Sequence, residues 1–324
     1  MTALRRLFTV PEGAEIGAIS PASTPKPERV ERGLAVLRAL GYAPQPSEHI
    51  LARGPLYFAG TPAMRLSDLH HAFADDQQRA IFCTRGGYGS NYLLDQLDLD
   101  LIAESPKPFI GYSDLTAMQL WLLDQIQLPA FHGPMLSADF AREDGVHLAS
   151  LQAALGGKPY IVGAAEGLRP LRPGRMRGTL YGGCLSILIA LLGTPYEPQT
   201  EGKLLFLEDV NAKPYQIDRM LWQLREAGKL EGVRGIVFGE MLDCTSPGAP
   251  PELLDQVILH ALDNFKGPIA IGLRSGHVSH QNVTLTFGVD AELLVHQEAR
   301  LHLIEPALRT LGTASHATKP EVEL

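Results

Sequence analysis

The sequence is poor in cysteine, in long apolar runs and in basic residues. Its three cysteines, Cys83, Cys184 and Cys244, lie far apart and form no CxxC pair, which excludes a disulfide-stapled scaffold or a structural zinc site and favours a reducing compartment. No stretch approaches the roughly 18 uninterrupted apolar residues of a membrane span, and residues 1–15 lack the apolar region of a signal peptide. We therefore expect a cytoplasmic protein without a membrane partner.

The scarcity of positive charge limits the partners of the chain. Its 28 Lys and Arg residues against 36 Asp and Glu residues give a net charge of −8, and without a Lys/Arg run this balance excludes an ordinary nucleic-acid-binding surface. Charged residues make up 20% and hydrophobic residues 45% of the chain, which is typical of a packed globular protein. Its 324 residues predict two domains, at about 150 residues per domain.

Short apolar runs alternate with amphipathic segments through the first half of the chain, a pattern typical of a parallel sheet covered by helices. We predict strands at residues 15–20, 80–83 and 107–111, and helices around residues 30–37, 66–73 and 115–122. The fold class is therefore α/β, with a flavodoxin-like N-terminal parallel-sheet domain over residues 1–150.

The pattern changes after about residue 145. One helix up to Leu155 is followed by residues 156–174, in which five glycines, three prolines and little periodicity indicate a linker; we place it at 151–175. Beyond it we predict strands at 203–207, 235–239, 269–272, 283–287 and 301–304, and helices at 185–192 and 215–227. This set predicts a strand-rich α+β C-terminal domain over residues 176–324, with a frayed tail after Leu311.

A serine stands where an apolar strand ends and a helix begins, in residues 109–115 (FIGYSDL). A sharp turn from strand to helix exposes the hydroxyl of Ser113, and the free N–H groups of the first helical turn can bind an oxyanion. The alternative is that Ser113 and Asp114 cap the helix, since serine is a favoured N-cap residue. Because position 115 is Leu, the segment is not the G-x-S-x-G turn of α/β-hydrolases.

A serine nucleophile needs a base, and the base needs an acceptor that orients it. His277 lies in the loop segment 276–280 (GHVSH), after a predicted strand. His277 and His280 resemble a metal-binding pair only in spacing, because no carboxylate lies between them and no third ligand follows.

Two carboxylates end the apolar strand in residues 204–210 (LLFLEDV). A carboxylate at the end of a buried strand requires a partner, because an unpaired buried charge costs several kcal/mol. Glu208 or Asp209 can therefore orient the base. Alternatively, one of them caps the next helix or pairs with Arg219.

A glycine-rich segment, residues 84–89 (TRGGYG), follows another predicted strand. Its backbone amides and Arg85 can cradle an anion, although the segment reads neither as a Walker loop nor as G-x-G-x-x-G. A carboxylate or the oxyanion of a reacting carbonyl suits such a turn as well as a phosphate does. The alternative is a simple tight turn.

These motifs and others follow one order along the chain. They are AISPAS at 18–23, TRGGYG at 84–89, GYSD at 111–114, FHGPM at 131–135, GGCLS at 182–186, LEDV at 207–210, PYQIDRML at 214–221 and GH at 276–277. In this order they resemble the serine LD-carboxypeptidases, the muramoyl-tetrapeptide carboxypeptidase family, which also includes the microcin C self-immunity peptidases. The resemblance extends from about Ile16 to Ile304.

The resemblance implies a triad of Ser113, Glu208 and His277, with the serine on the N-terminal domain and the other two residues on the C-terminal domain. It also implies a homodimer, a site in the cleft between the domains, and no metal or organic cofactor. The implied reaction is hydrolysis of the L–D peptide bond before the terminal D-alanine of a murein tetrapeptide, in peptidoglycan recycling.

Hydrolysis by such a triad also needs groups that bind the oxyanion and the substrate. We expect the backbone N–H of Asp114, aided by the turn at Gly86 and Gly87, to form the oxyanion hole. Arg85 would bind the free carboxylate of the substrate, which explains exopeptidase action. The expected substrate-binding residues are Arg85, Tyr88 and Cys184.

Three positions depart from the pattern of the family and leave the identity of the substrate open. Cys184 replaces a usual Asn, Ala212 a common acidic residue, and Tyr92 a frequent Arg. Alternatives are therefore a self-immunity-type peptidase that cleaves aminoacyl-nucleotide amides, and a catalytically inactive binder of small amino-acid ligands. A thiol nucleophile, Cys83 or Cys184, is a further alternative, although Cys83 lies in an apolar strand where a thiol is inert.

Overall fold

Two β-sheets with helices packed on them form the described chain, which comprises residues 4–245, 248–250 and 252–309 of a computed structural model. The strands are β1 Leu7–Phe8, β2 Glu15–Ile19, β3 Ala43–Pro46, β4 Gln78–Cys83, β5 Phe109–Gly111, β6 Ala130–His132, β7 Tyr160–Val162, β8 Arg169–Arg172, β9 Gly174–Cys184, β10 Lys203–Glu208, β11 Gly235–Gly239, β12 Ile269–Leu273, β13 Leu285–Phe287, β14 Asp290–Val295, β15 Ala299–Leu303 and β16 Leu308–Arg309. The helices are α1 Pro27–Ala39, α2 Pro62–Ala74, α3 Leu99–Glu104, α4 Thr116–Ile126, α5 Leu148–Leu155, α6 Leu185–Leu191, α7 Pro214–Glu226 and α8 Leu253–Ala261.

The first sheet has six strands in the order β13-β6-β5-β4-β2-β3. Its five N-terminal strands are parallel, and counted along the chain they follow the 2-1-3-4-5 order of flavodoxin-like sheets. Continuous apolar runs favour these strands, because a parallel sheet covered by helices buries both of its faces. In β4, residues 80–83 are all apolar and buried. Helix α1 covers the sheet with Val30, Leu34 and Leu37. The parallel-sheet N-terminal region expected from the sequence is confirmed.

The second sheet has eight strands in the order β7-β15-β14-β9-β10-β11-β12-β8. Its centre, β9 to β12, is parallel, and the strands on either side pair antiparallel. Helix α7 packs its buried residues Ile217, Leu221 and Leu224 into the core of this half. The expected strand-rich C-terminal region is therefore also confirmed.

The segment interpreted as a linker, 151–175, differs from that expectation because it contains helix and strand. Helix α5 continues to Leu155, and β7 and β8 form the two opposite edges of the second sheet. These edge strands bury little apolar surface: β7 buries only Val162 while Ile161 is 57% exposed, and the edge at β8 tolerates Pro170. A search for apolar periodicity therefore missed them. The domain bounds at 150 and 176 stay predictions.

One late strand leaves the C-terminal half. The strand expected at 283–287 forms as β13, but it pairs antiparallel with β6 of the first sheet, with Leu285 opposite His132 and Phe287 opposite Ala130. The two halves are therefore joined by a strand as well as by the connecting chain. The tail after Leu311, expected to be frayed, lies outside the described residues.

Across the described residues, no helix combines the length and the apolar character that crossing a lipid bilayer requires.

Candidate active site

The three candidate triad residues all lie at or just after the ends of strands. Ser113 follows β5 after one residue, Glu208 is the last residue of β10, and His277 lies in the loop after β12. In open α/β sheets, ligands bind outside the carboxyl ends of the strands. Ser113 and His277 line one cavity of about 300 Å³, and Glu208 contacts His277 from behind it.

The backbone at Ser113 is strained. Ser113 has φ +66° and begins the 3₁₀ helix Ser113–Leu115, a conformation that non-glycine residues seldom adopt and that often marks functional sites. The N-caps of the 3₁₀ helix and of α4 are Tyr112 and Leu115, so the capping alternative for Ser113 does not hold. The Asp114 carboxylate also turns away and accepts the Ser90 N–H at 2.8 Å.

Glu208 holds His277 through two hydrogen bonds. Glu208 is fully buried, and its Oε2 accepts the Nδ1–H of His277 at 2.8 Å and the backbone N–H of His277 at 3.0 Å. A carboxylate can only accept, so the neutral imidazole carries its proton on Nδ1 and keeps Nε2 as an acceptor. This tautomer is the one that a general base next to a serine requires.

The charges of the pair support each other. Burial alone would lower the pKa of His277, but the nearby Glu208 carboxylate, with smaller effects of Asp209 and Asp139, raises this pKa above its usual value. Burial likewise opposes the charge on Glu208, yet His277 holds the pKa of Glu208 below its usual range. Glu208 is therefore ionised, and it stabilises the imidazolium that forms when His277 takes a proton.

Ser113 and His277 share the cavity without a hydrogen bond between their side chains in the described part of the chain. The ring of Tyr112 packs edge-on against the ring of His277, with centroids 5.1 Å apart. Catalytic hydrogen bonds are often long before substrate binds and tighten in the complex. The cavity that Ser113 and His277 share is therefore the geometric evidence that the two side chains can act together.

The glycine-rich turn lies directly against the serine. A Cβ atom on Gly86 would lie 2.9 Å from the Cβ of Ser113 and 3.2 Å from the backbone nitrogen of Asp114, so only glycine fits there. The next residue, Gly87, has φ +98° and is backed by Ser23. Residues 84–89 therefore form a tight turn, which was one of the two interpretations of this segment. The turn lies beside the Ser113 hydroxyl.

The charged side chains that line the cavity are all basic, among the described residues. They are Lys26, Arg29 and Arg85. Arg29 is fixed by its Nε, which donates to the Ser137 carbonyl at 2.5 Å. Sequence reasoning missed Lys26 and Arg29, although the switch point of a 2-1-3-4-5 sheet, between β2 and β4, places the start of α1 at such a site.

Two predicted substrate-binding residues lie outside this cavity lining. Tyr88 is 38% exposed and packs in an aromatic cluster with Tyr57, Phe58 and Tyr92. Cys184 is buried, lies opposite Glu208 in the register of β9 and β10, and donates its N–H to Thr116 Oγ1 at 3.1 Å. Neither residue lines the cavity in the described chain, although the sulfur of Cys184 lies within 4.8 Å of a ring nitrogen of His277.

Cys184, Glu208 and His277 together could be taken for a metal site, since their donor atoms lie within 4.8 Å of one another. The donor chemistry does not favour one. Glu208 and His277 already bind each other, and burial, with Glu208 and Asp209, raises the pKa of Cys184 well above its usual value, so the thiolate that a metal needs is disfavoured. Burial also raises the pKa of Cys83. Neither thiol is suited to act as a nucleophile.

A second histidine lies beneath the pair and was not singled out from the sequence. His132 is fully buried, and its ring packs 5.2 Å from that of Phe206 and 5.8 Å from that of Tyr112. Burial lowers the pKa of His132 to about 4, so it stays neutral. It packs among the rings of Tyr112, Phe206 and Phe287 as an aromatic ring does.

Comparison with protein families gives two adjacent matches. Residues 16–133 match the model of the LD-carboxypeptidase N-terminal domain, and residues 177–293 match that of the LD-carboxypeptidase C-terminal domain. Ser113 falls in the first match, and Glu208 and His277 fall in the second.

Curated and solved relatives agree with these matches. The chain is 37% identical over 289 residues to a "Probable murein peptide carboxypeptidase" of Bacillus subtilis, which covers 87% of this chain and 89% of the relative. It is 32% identical over 305 residues to the "Murein tetrapeptide carboxypeptidase" of Pseudomonas aeruginosa, covering 87% and 94%. The crystal structure of an MccF-like protein from Bacillus anthracis superposes with a TM-score of 0.85 at 27% identity, over 94% of this chain and 100% of that chain. MccF is a microcin C7 self-immunity protein.

Proposed function

The chain belongs to the LD-carboxypeptidase family, and from this membership we propose that it is a serine peptidase that removes the terminal D-alanine of murein tetrapeptides. The observation that carries the proposal is the Glu208–His277 pair, joined at 2.8 Å and facing the cavity into which the strained Ser113 also opens. The names of the Bacillus subtilis and Pseudomonas aeruginosa relatives support the substrate class.

In the first step, His277 Nε2 accepts the hydroxyl proton of Ser113 while the Ser113 oxygen attacks the carbonyl carbon of the L–D peptide bond. Glu208 stabilises the resulting imidazolium through Nδ1. The imidazolium then gives its proton to the nitrogen of the departing D-alanine, and the C–N bond breaks. An acyl ester on Ser113 remains, which water hydrolyses with His277 again as the base.

The oxyanion of the tetrahedral intermediate requires donors close to Ser113. The backbone N–H of Asp114 is the main candidate, and Gly86 and Gly87 supply the neighbouring backbone. Loss of one such donor costs on the order of 3 kcal/mol in transition-state free energy. The absence of a Cβ at Gly86 leaves the room that this oxyanion needs.

Selectivity for the end of a peptide follows from the basic lining of the cavity. Arg85 and Lys26 line the same cavity as Ser113 in a protein whose net charge is −8, and a guanidinium group binds a carboxylate well. The free carboxylate of D-alanine has its natural partner there. An internal peptide bond offers no such charge.

The setting of this reaction is proposed on the family resemblance alone. We place the enzyme in the cytoplasm, in the recycling of peptidoglycan peptides, as a homodimer that needs no organic cofactor or metal. Size-exclusion chromatography with light scattering tests the dimer.

A second candidate is an amidase of the self-immunity type, favoured by the fold of the MccF-like structure. Its substrates would be aminoacyl sulfamoyl nucleotides in place of tetrapeptides. Release of D-alanine from a sugar-free tetrapeptide and cleavage of an aminoacyl sulfamoyl adenosine, measured as kcat/KM side by side, separate the two. A preference for the nucleotide compound would overturn the first proposal.

The first prediction concerns the nucleophile. Ser113→Ala should lower kcat/KM for D-alanine release by about 10⁴-fold or more, because the triad acts as a unit, while the affinity for tetrapeptide persists in calorimetry. The control is Ser137→Ala: Ser137 lines the same cavity but donates its hydroxyl to the Thr84 carbonyl at 2.9 Å, so its loss should cost far less. Wild-type protein that binds but does not cleave tetrapeptide would support the inactive-binder alternative.

A further inference from the structure

The base of the proposed triad lies on a loop that is closed at its neck. His277 follows Gly276, whose N–H donates to Asn282 Oδ1 at 3.0 Å, while Asn282 Nδ2 donates to the Gly276 carbonyl at 3.1 Å. The segment 276–282 thus forms a small closed unit between β12 and β13. Its neck fixes where the loop begins, and the direction of the loop tip depends on other contacts.

An arginine from the N-terminal half forms hydrogen bonds with the tip of this loop. Arg142 lies between β6 and α5, and it donates from Nη1 to the Val278 carbonyl at 2.9 Å and from Nη2 to the His280 carbonyl at 3.2 Å. These two carbonyls lie on either side of Ser279, one and three residues after His277. One planar guanidinium group therefore bridges the loop that carries the base.

The arginine is itself anchored next to the cavity. Its Nη2 also donates to Asp139 Oδ1 at 3.1 Å, and Asp139 is almost fully buried. The other oxygen of Asp139 accepts the N–H of Met135 at 3.0 Å, and Met135 lines the cavity with Ser113. A continuous chain of hydrogen bonds thus joins the wall beside the nucleophile to the loop of the base.

We propose that Arg142 is a positioning residue that sets the distance and direction of His277 relative to Ser113. The proposal rests on the proposed function, because it assigns Arg142 a role in that reaction. Ser113 follows β5 of the first sheet and His277 follows β12 of the second, so their relative position depends on contacts between the halves. A misplacement of about 1 Å can cost 10²-fold in rate, and charge-assisted hydrogen bonds are strong enough to prevent it.

Contacts with the C-terminal half keep the loop folded if Arg142 is removed. Glu240, from the C-terminal half, accepts the Ser279 N–H at 3.0 Å, and Glu208 still binds His277. Asn282, at the neck, also donates its N–H to the Gly145 carbonyl at 2.9 Å, so without Arg142 we expect the loop to stay folded and its neck to stay fixed, while its tip loses the contact that sets its direction. This separates a positioning role from a purely structural one.

The test compares Arg142→Ala with Arg169→Ala. Arg169 forms a bidentate ion pair with Asp255 at 2.7 Å in the C-terminal half, and its side chain donates no hydrogen bond to residues 276–282 in the described chain. Arg142→Ala should lower kcat for D-alanine release 10- to 100-fold with KM within threefold, and millimolar guanidinium should restore part of the rate. Arg169→Ala should keep kcat and should not respond to guanidinium.

A second readout does not depend on the identity of the substrate. The rate at which a fluorophosphonate probe labels Ser113 reports the alignment of the serine with its base, and Arg142→Ala should slow this labelling at least tenfold. If wild-type protein is labelled but releases no D-alanine, the proposed function fails while the role of Arg142 is still tested.

Three outcomes would overturn the proposal. They are an unchanged kcat and labelling rate in Arg142→Ala, a change in KM alone, and an equal loss in Arg169→Ala. Should Arg142→Ala fail to fold, Arg142→Lys serves instead, because a single ammonium group cannot bridge two carbonyls and a carboxylate in the same plane. We expect a lower kcat for Arg142→Lys at an unchanged melting temperature, and wild-type kcat would refute the positioning role.

Discussion

The chemistry of the site depends on which partner each of a few buried side chains binds. Glu208 and Asp209 are neighbours in sequence, yet Glu208 binds His277 while Asp209 accepts the N–H groups of Ser186 and Val210, both at 2.8 Å. The period of two along a strand sends successive side chains to opposite faces. One carboxylate therefore serves the base, and the other serves the backbone.

The pairing of Glu208 predicts a pH dependence. His277 must be neutral to act as a base, and its pKa is raised by Glu208 against the effect of burial. The kcat/KM of wild-type enzyme should therefore fall as the pH drops through this raised pKa, at a higher pH than for an ordinary histidine. In Glu208→Gln the effect of burial remains, so the acid limb should move to lower pH while kcat/KM falls by about 10⁴-fold.

The matched control is Asp209→Asn, which removes the neighbouring carboxylate without touching the His277 hydrogen bond. Its profile should keep the acid limb close to that of the wild type, since Asp209 contributes less than Glu208 to the pKa of His277. The pH profiles of the three proteins are the measurement. An acid limb that does not move in Glu208→Gln would argue against His277 as the base.

At the scale of single residues, the sequence predicts those candidate site residues that stand in a recognisable local pattern. Ser113 stands at a junction of strand and helix, and Glu208 ends an apolar strand. Lys26, Arg29 and Arg142 have no such mark: the fold alone brings Lys26 to the cavity, Arg29 contacts Ser137, and Arg142 contacts Val278. A local pattern carries no information about these partners.

Among the elements, the turns that carry the site are the most constrained. Gly276 precedes His277 with φ +88°, and a Cβ atom there would lie 2.6 Å from the Cδ of Glu208. Glycine is therefore required at position 276 for two reasons: the backbone is left-handed there, and the Glu208 carboxylate occupies the space that a Cβ atom would take.

A comparison of two glycine variants separates these requirements. Gly193 has φ +73°, and a Cβ atom there would have no neighbour within 4 Å among the described residues, so Gly193→Ala should lose about 1 kcal/mol of unfolding free energy and keep its kcat. Gly276→Ala pays the same backbone cost and also displaces Glu208, so its kcat should fall at least tenfold. Urea unfolding and D-alanine release measure the two effects. Equal kcat values in both variants would contradict the close contact.

Elements with one strong apolar face were predicted well, and edge strands were not. Helix α7 has Ile217, Leu221 and Leu224 at helical spacing, and the strand at 203–207 is apolar throughout after its first residue and forms as most of β10. Strands β7 and β8 have only three and four residues and are partly exposed, so they are too short for a periodic hydrophobic pattern to distinguish them from loops. The pairing of β13 with β6 depends on residues more than a hundred positions apart, which periodicity cannot reveal.

For the whole molecule, the connection between the halves is extensive. Strand β13 completes the first sheet, and Asn282 beside it donates its N–H to the Gly145 carbonyl at 2.9 Å. Strands β1 and β16, from opposite ends of the described chain, also pair, with Leu7 opposite Leu308. Neither half therefore contains all of its own sheet partners.

This interlocking predicts one cooperative unfolding transition for the whole chain, although two domains commonly unfold separately. Calorimetry of the full-length protein should show a single peak. A fragment of residues 1–150 should fail to fold, because it exposes the edge of β6 and the apolar surface that Leu285 and Phe287 cover.

The control for the fragment is the same chain with residues 280–289 attached through a Gly-Ser linker, which restores β13. It should recover helical circular dichroism and resistance to protease that the bare fragment lacks. Two resolved calorimetric peaks, or a bare fragment that folds as well as the extended one, would contradict the interlocking.

The crossing of β13 also gives the reaction an order in time. A ribosome makes the chain from its N-terminus, so the nascent protein carries Ser113 long before it carries His277 or the strand that closes the first sheet. An unfinished chain has a serine without its base. The proposed hydrolysis can begin only once translation has passed β13 and that strand has paired with the sheet made first.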